Sequence, residues 1–366
     1  MIKVNIFSAP LRTLNQAGFI LPLLRNQQLF KQYGITFSVY SDLKRFLTKG
    51  ADVVLTDSRT IQQRFNEDKC AIIDTLTQMR NSARLLFFDL EDSSGTGFFW
   101  LLPHVDKYCK AYVYRDRTLY CKEHYAGRIW PDYYHKAFGV SDSSPRENAI
   151  VQSPSDLKKI YHSYLLGLLD FTSVRPWSRS LMHFEFQRRF GLLSKVSRDP
   201  PTHRVAQPHR PRHRDISCRI NMTLRRESLA FHRALIAKTL GTRTDTHKIS
   251  LPLYMNEMKD SKVVISPFGW GEINLPRDYE VAVAGAILMK PQFDHLETFP
   301  PIFDRHTTVF FNWDCSDLNS KITTILRHHD DYIPLAQELQ RRYMRYVFTY
   351  DGALDFVKHV KELLLL

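Results

Sequence analysis

Short apolar runs alternate with stretches of helical periodicity along most of the chain, and this alternation constrains the fold more than any other feature. In the first half, apolar runs at 4–7, 35–40, 53–55 and 85–88 are separated by segments with apolar residues at helical spacing. Such runs are typical of parallel sheets, because helices cover both faces of those sheets. The pattern predicts βαβ units and a Rossmann-like first half.

The second half repeats this logic after a segment of unusual composition. Apolar runs at 216–222, 263–266, 286–289 and 307–311 again alternate with helical stretches. The chain has 366 residues, which favours two domains, since a typical domain has about 100–200 residues. We therefore predict an α/β protein with two Rossmann-like domains that face each other across a cleft.

A basic stretch separates the two predicted domains. We place the first domain at 1–190, the linker at 191–214 and the second domain at 215–345. Residues 198–214 of the linker are rich in Arg and His. Regular helices and strands are excluded there by prolines, which are Pro200, Pro201, Pro208 and Pro211.

The charge balance favours an anionic partner. Lys and Arg number 51 and Asp and Glu 38, which gives a formal net charge of +13. The 43% of hydrophobic residues suffices for a packed core and excludes a disordered chain. The five cysteines are widely spaced without a CxxC pair, which argues against a disulfide framework or thiolate zinc site and favours a cytoplasmic location. No apolar run reaches about 18 residues, so we expect membrane contact to be peripheral at most.

Several common catalytic motifs are absent from the sequence. It contains no GxxxxGK[ST] phosphate loop, no GxSxG elbow, no HExxH metal motif and no GxGxxG fingerprint. The run from His328 to Asp331 is better explained as a solvated helix end, because adjacent side chains rarely converge on one ion. We therefore expect no metal ion and no cofactor.

The most informative segment spans 263–286. An apolar run leads into a turn that contains Gly269, Trp270 and Gly271, and a helix is predicted to begin near Pro276. The free N–H groups and the positive dipole end of such a helix suit a phosphate or a sugar hydroxyl. The glycines allow the backbone to approach a ligand closely. This arrangement indicates a ligand site in the turn.

Two glutamates in this segment give the pattern E-x7-E. Glu272 lies in the turn and Glu280 on the helix, so their carboxylates could accept hydrogen bonds at two points of one ligand. The segment resembles the donor-site signature of GT-B glycosyltransferases, particularly the group 1 retaining type. The resemblance implies that Glu280 binds the ribose of a nucleotide and that Glu272 contacts the donor sugar. In this chain the glycines precede the first glutamate instead of following it.

The resemblance carries further expectations for the whole chain. The sequence of residues 266–280, together with Trp313 and Asp314, is similar to that of an exostosin-like branch of surface-polysaccharide enzymes. It implies that 1–190 binds a glycan acceptor, that 215–345 binds a nucleotide sugar, and that a helix at 346–366 packs back on the first domain. The implied reaction transfers a hexosyl or pentosyl group to a polysaccharide, glycoprotein or lipid-linked glycan. Retention of configuration and independence of metal ions are implied as well.

Arginines near this signature are candidates for the diphosphate of the donor. Arg225 and Arg226 precede a predicted helix, and Arg277 lies inside the signature itself. A guanidinium group can contact phosphate oxygens in a bidentate way and stabilise the charge of a departing phosphate. The alternative explanation for Arg225 and Arg226 is a solvated basic turn.

In the first domain, carboxylates follow the strand predicted at 85–88. Asp89 and Asp92 are predicted to lie at the carboxyl end of this strand, where an open α/β sheet faces its ligand crevice. Either side chain could act as the base of an inverting transfer. A solvated loop is the alternative explanation.

A basic nucleic-acid-binding protein is the rival hypothesis. It rests on the net charge and on the stretch 198–214, and no sequence signature of a DNA- or RNA-binding module supports it. We therefore expect no specific nucleic-acid partner. An anionic membrane surface is a further candidate for the positive charge.

Overall fold

A computed structural model of the chain describes residues 1–66, 68–147, 149–164, 166–172, 182, 184–186, 202–222, 224, 226–273 and 276–365. Two parallel sheets and one short antiparallel ribbon organise this part of the chain. Each parallel sheet belongs to one half of the sequence, and helices cover its faces.

The first sheet has the order β2-β1-β3-β4-β5-β7, and all of its neighbouring strands are parallel. Its strands are β1 (Ile2–Phe7), β2 (Ile35–Tyr40), β3 (Val53–Asp57), β4 (Arg84–Asp89), β5 (Lys107–Lys110) and β7 (Ile160–His162), and β6 (Tyr112–Tyr114) lies outside it. All five residues of β3 are buried, as expected for a central strand covered on both faces.

Helices of the first half begin at side-chain caps. Thr13 and Gln16 form a capping box at the start of the first helix, and Asp57 both ends β3 and caps the helix that follows it. The helices are α1 (Leu14–Arg25), α2 (Gln27–Gln32), α3 (Leu43–Leu47), α4 (Ser58–Phe65), α5 (Lys69–Ser82) and α6 (Ile129–Phe138).

The second sheet has the order β12-β10-β9-β8 and is parallel throughout. Its strands are β8 (Arg214–Ser217), β9 (Ser261–Ile265), β10 (Ile287–Pro291) and β12 (Thr308–Phe311), and β11 (Leu296–Thr298) lies outside it. The helices of this half are α7 (Glu227–Leu240), α8 (Leu251–Asp260), α9 (Arg277–Ala284), α10 (Leu318–Arg327) and α11 (His329–Phe348).

The last helix, α12 (Tyr350–Leu365), packs on the first half. Its Phe356 ring meets Phe30 and Tyr164 at centroid distances of 5.7 and 4.8 Å. Lys107 of β5 donates a hydrogen bond of 2.6 Å to the carbonyl oxygen of Leu363. The prediction of an α/β protein with two Rossmann-like parallel halves and a helix that crosses back is confirmed.

An antiparallel ribbon also joins the two halves. In this ribbon β6 of the first half pairs with β11 of the second. An ion pair of 2.7 Å between Arg117 and Glu297 accompanies it. The halves are therefore connected by backbone hydrogen bonds as well as by the chain itself.

The described part of the basic stretch is packed on the second half. Arg212 is buried and donates hydrogen bonds to the carbonyl oxygens of Lys259 and Ala284 at 2.7 and 3.0 Å. Residue 214, predicted as the end of the linker, already begins β8. Residues 191–201 lie outside the described part. Within the described residues, no helix is long and apolar enough to cross a membrane.

Candidate active site

Two segments singled out in separate halves of the sequence meet at the cleft. The turn after β9 contains Gly271, and the loop after β4 contains Asp92 and Ser93. A Cβ atom at position 271 would lie 1.8 Å from the carbonyl oxygen of Asp92, so only glycine fits this approach. The sequence predicted that the glycines allow a ligand to approach the turn, but the close approach at Gly271 is made by the backbone of the other half of the protein.

Glu272 is fully buried at this contact. Ser94 donates two hydrogen bonds to it, from the backbone N–H to Oε2 at 3.2 Å and from the hydroxyl to Oε1 at 2.7 Å. The carboxylate therefore holds the turn of the second half against the loop of the first. The sequence singled out Glu272 but gave no sign of its partner Ser94.

The start of α9 is anchored beneath the turn. Asp278 accepts a hydrogen bond of 2.6 Å from the Ser266 hydroxyl and forms a fully buried ion pair of 2.7 Å with Lys290. These contacts tie the helix to the carboxyl ends of β9 and β10. The first turn of α9, which carries Arg277 and Glu280, is consequently fixed relative to the sheet.

Arg128, which directly precedes α6, reaches into the contact between the halves. Its Nη1 donates a hydrogen bond of 2.7 Å to the carbonyl oxygen of Trp270, and its guanidinium lies 4.8 Å from the centre of the Trp130 ring. The side chain is 0% exposed, and burial lowers its pKa to about 10. Among the described residues, neither Nε nor Nη2 has a hydrogen-bond partner. The sequence contains no pattern that singles out this arginine.

These groups border a cleft pocket of about 310 Å³. Its lining comprises Arg59, Glu91, Asp92, Ser93, Thr96, Arg128 and Arg146 of the first half and Arg226 and Trp270 of the second. Four guanidinium groups face two carboxylates, so the lining carries a formal charge of +2. Buried polar atoms of Ser93 and Thr96 also lack hydrogen-bond partners among the described residues. Charge and free donors together suit a small anion or diphosphate.

The two carboxylates of this cleft pocket differ in their surroundings. Glu91 is largely buried, but ion pairs with Arg146 at 2.8 Å and Arg59 at 3.3 Å hold its pKa below the usual value. Burial raises the pKa of Asp92, against a hydrogen bond of 2.7 Å from Asn15. Asp92 is therefore the carboxylate of the pocket that takes up a proton more readily.

Asp89, the other predicted base, does not line the cleft pocket. It is buried against β5, where Lys110 and the Tyr108 hydroxyl each donate a hydrogen bond of 2.8 Å to Oδ2. The Glu91 N–H donates to Oδ1 at 3.0 Å. These partners occupy both carboxylate oxygens, which fits a role in holding the loop after β4.

The predicted diphosphate-binding residues are divided between two places. Arg226 lies at the cleft pocket, with its guanidinium 4.7 Å from the centre of the half-exposed Trp270 ring. Gly269 closes the turn beside it by donating a hydrogen bond of 3.0 Å to the Gly271 carbonyl oxygen. Arg225 lies outside the described residues.

Arg277 lines a second pocket of about 230 Å³ on the same edge of the second sheet. Its guanidinium lies 5.5 Å from the centre of the Tyr254 ring. The remaining lining consists of Arg219, Ile220, Asn221, Lys248, Ile249 and Leu251. One helical turn beyond Arg277, Glu280 is buried, which raises its pKa to about 7 despite the nearby Arg277.

The same two segments line both pockets. Residues 220–226 contribute Ile220 and Asn221 to the second pocket and Arg226 to the cleft pocket. Residues 270–277 contribute Trp270 to the cleft pocket and Arg277 to the second pocket. The two pockets therefore follow one another along the carboxyl ends of β8 and β9. Among the described residues, no three His, Cys, Asp or Glu side chains are placed to hold a metal ion.

Replacing Glu280 with glutamine is expected to stabilise the protein at pH 8 and to change little at pH 4. The pKa of Glu280 rises from 4.5 to about 7 in the folded state. Between these two pH values the folded protein keeps the proton of this carboxyl group, whereas the unfolded chain has lost it. Below the unfolded pKa, Glu280 therefore does not lower the free energy of unfolding. Between the two pKa values its destabilising effect grows, and above the folded pKa it reaches roughly 3 kcal/mol. Urea unfolding of wild type and variant at both pH values measures this difference.

The control for this experiment is Glu362→Gln, which changes an exposed carboxylate of α12. We expect the control to shift the free energy of unfolding equally at the two pH values. An equal shift for Glu280→Gln would contradict the buried, proton-holding state of Glu280.

No protein-family model matches the chain, and no curated protein matches it. Among solved structures, a glycosyltransferase from Rickettsia africae ESF-5 is 10% identical with a TM-score of 0.48, over 100% of this chain and 98% of the other. The Anabaena protein HepE in complex with UDP-glucose is 9% identical with a TM-score of 0.43, over 100% and 99%. An alpha-glucosyltransferase in complex with UDP-glucose and DNA containing an abasic site is 10% identical with a TM-score of 0.40, over 98% and 99%.

Proposed function

We propose that the protein is a glycosyltransferase that transfers a sugar from a nucleotide sugar to a glycan acceptor in the cleft. The observation that carries this proposal is the cationic cleft pocket, where two guanidinium nitrogens of Arg128 have no hydrogen-bond partner in the described part of the chain and lie beside the turn of the predicted donor signature. Glu272 and Asp142 attract the Arg128 charge from a distance, but burial outweighs this attraction and lowers its pKa. A buried cation without a hydrogen-bonded counter-ion is costly unless a ligand supplies the negative charge. The diphosphate of a nucleotide sugar supplies it.

The donor would lie along the two consecutive pockets. Arg128 and Arg226 would hold the diphosphate and stabilise the charge that develops on it as the sugar leaves. The nucleoside would extend toward Arg277 and Tyr254. There the Arg277 guanidinium lies over the Tyr254 ring, and the two planar groups form a wall against which a base can pack. The ionised form of Glu280 would accept hydrogen bonds from ribose hydroxyls, as the resemblance implies.

The reacting sugar would then face the first-half wall of the cleft pocket. Glu272 accepts two hydrogen bonds from Ser94, and these bonds hold the two walls of the cleft pocket together. A retaining outcome without a metal ion follows from the resemblance to group 1 enzymes.

An inverting transfer is the second candidate. It is favoured by Asp92, a carboxylate at the wall of the cleft pocket whose pKa is raised by burial, so that it is suited to accept a proton from an acceptor hydroxyl. Asp89 is not proposed as this base, because its Oδ2 accepts hydrogen bonds from Lys110 and Tyr108 and its Oδ1 accepts one from the Glu91 N–H.

For the acceptor we propose a polysaccharide, glycoprotein or lipid-linked glycan of the exostosin-like type, handled in the cytoplasm or at an anionic membrane surface. This part of the proposal rests on the sequence resemblance. Nucleic acid is not proposed as a partner. One strong cation of the basic stretch, Arg212, is buried against backbone carbonyl groups of the second half.

The test is a binding screen with UDP, GDP and CMP, followed by donor hydrolysis with the corresponding nucleotide sugars. We expect one of the two diphosphates, UDP or GDP, to bind, and Trp270→Ala to weaken its binding about tenfold, because Arg226 loses the ring that orients it. Tyr350→Ala, which removes an exposed aromatic side chain at the start of α12, is the matched control and should bind normally. Indifference of the folded protein to all three nucleotides would contradict the proposal.

A further inference from the structure

A third pocket, of about 470 Å³, lies where α6 of the first half meets the carboxyl ends of β10 and β12. Its lining shares no residue with the cleft pocket or the second pocket, which together form the proposed donor groove along β8 and β9. Its volume is in the range of about 300–1,000 Å³ that is typical of small-molecule sites. The proposed donor reaction assigns no role to this pocket.

Trp313 forms the aromatic wall of the third pocket and is fixed in place. Its indole N–H donates a hydrogen bond of 2.8 Å to the Gln292 carbonyl oxygen. The ring meets Tyr133 at a centroid distance of 5.4 Å and an angle of 64°, and His295 at 6.1 Å and 89°. A ring held in this way loses little conformational entropy when a ligand stacks on it. Its electron-rich face suits the C–H groups of a sugar ring.

The polar part of the third pocket disfavours anions. Its lining contains the carboxylates of Asp294 and Asp314 and no Lys or Arg, and Arg305 from outside the lining pairs with Asp294 at 2.9 Å. Burial lowers the pKa of His295, so its imidazole is neutral at pH 7. The lining thus carries the opposite sign of charge to the cleft pocket. Arg305 offsets the charge of Asp294, and the charge of Asp314 disfavours a phosphate or an acidic sugar.

The remaining polar groups suit hydroxyl groups. The Nε2 atom of His295 is buried and has no hydrogen-bond partner among the described residues. A sugar hydroxyl can donate as well as accept, so it satisfies either tautomer of the ring. Asn312 is exposed at the rim, where its amide nitrogen donates one hydrogen bond of 3.1 Å to the Ser316 hydroxyl and has a second N–H beside the amide oxygen as acceptor.

We propose that this third pocket is a binding site for a neutral carbohydrate, which stacks on Trp313 and is separate from the donor groove. The site binds one or two sugar rings and performs no chemistry on them. The inference goes beyond the proposed transferase activity, because it concerns a ligand that contacts neither Arg128 nor Arg226.

The experiment is saturation-transfer NMR on the full chain with maltotriose, cellotriose and mannotriose as neutral probes and a hyaluronan tetrasaccharide as the acidic probe. We expect at least one neutral trisaccharide to bind and the acidic probe not to bind. Trp313→Ala should weaken the neutral ligand about tenfold or more. UDP, GDP and CMP binding, measured on the same samples, should be unchanged.

A second variant guards against misfolding of Trp313→Ala. Asn312→Trp keeps the aromatic wall and fills the pocket from its exposed rim, so it should abolish trisaccharide binding as well. Absence of binding for all neutral probes, preferred binding of the acidic probe, or full binding by Asn312→Trp would overturn the inference. Trisaccharide binding in a protein that binds no nucleotide would contradict the proposed donor reaction and leave this site standing.

Discussion

Replacement of Arg128 by methionine is expected to weaken nucleotide binding by roughly a hundredfold, since a charge-assisted contact in a buried site is worth a few kcal/mol. The same change should leave the protein at least as stable as wild type. Arg128 is fully buried with only one hydrogen bond among the described residues, to Trp270. Methionine has a similar length and removes the desolvation cost of a cation that Glu272 and Asp142 compensate only in part.

The two readouts are calorimetric titration with the nucleotide that wild type binds and the midpoint of thermal unfolding. Arg341→Met is the matched control, because Arg341 is exposed and pairs with Glu338 on α11. A lowered midpoint together with normal nucleotide binding would show that Arg128 serves the contact between the halves instead of a ligand.

Removing the carboxylate of Asp89 by Asp89→Ala is expected to destabilise the protein by about 3–5 kcal/mol. Asp89 and Lys110 form an ion pair of 2.8 Å in which both side chains are 0% exposed. Loss of the carboxylate leaves the ammonium group buried with the Thr96 carbonyl as a remaining acceptor, at 2.6 Å. Urea unfolding at pH 7 measures the change.

The double variant Asp89→Leu with Lys110→Met is the control for this stability prediction. It removes both charges, so we expect it to recover most of the loss. An Asp89→Ala variant that unfolds like wild type but loses donor turnover would instead restore Asp89 as a candidate base.

The fold was largely predictable because strand and helix periodicities are local signals. The apolar run at 263–266 indicated β9 (Ser261–Ile265), and the small residues that follow Glu280 indicated the buried helix α9. The basic stretch was harder to interpret, since its composition resembles a solvated linker. Arg212 is instead satisfied by carbonyl groups at the ends of α8 and α9, and no local pattern reports such partners.

The candidate site was predictable in its parts and not in its assembly. Trp270 and Asp92 were each placed after a strand, but their meeting in one pocket depends on how the two halves pack. Arg128 was missed because a single arginine in an aromatic stretch has no periodic signature. Its place in the pocket also depends on how the two halves pack. Asp89 was correctly placed at a strand end. The sequence does not show that the parallel register of β4 and β5 puts Lys110 directly beside it, where it pairs with the carboxylate.

The ribbon of β6 and β11 and the return of α12 have a consequence for any attempt to recombine this protein with another. A chimeric protein in which one half is exchanged at the basic stretch would lose the pairing of β6 with β11. It would also lose the packing of α12 against Phe30 and Lys107 of the first half. Each half would expose an unpaired edge or an uncovered apolar face. The segment that divides the sequence is therefore not a boundary along which the molecule can be cut into exchangeable modules.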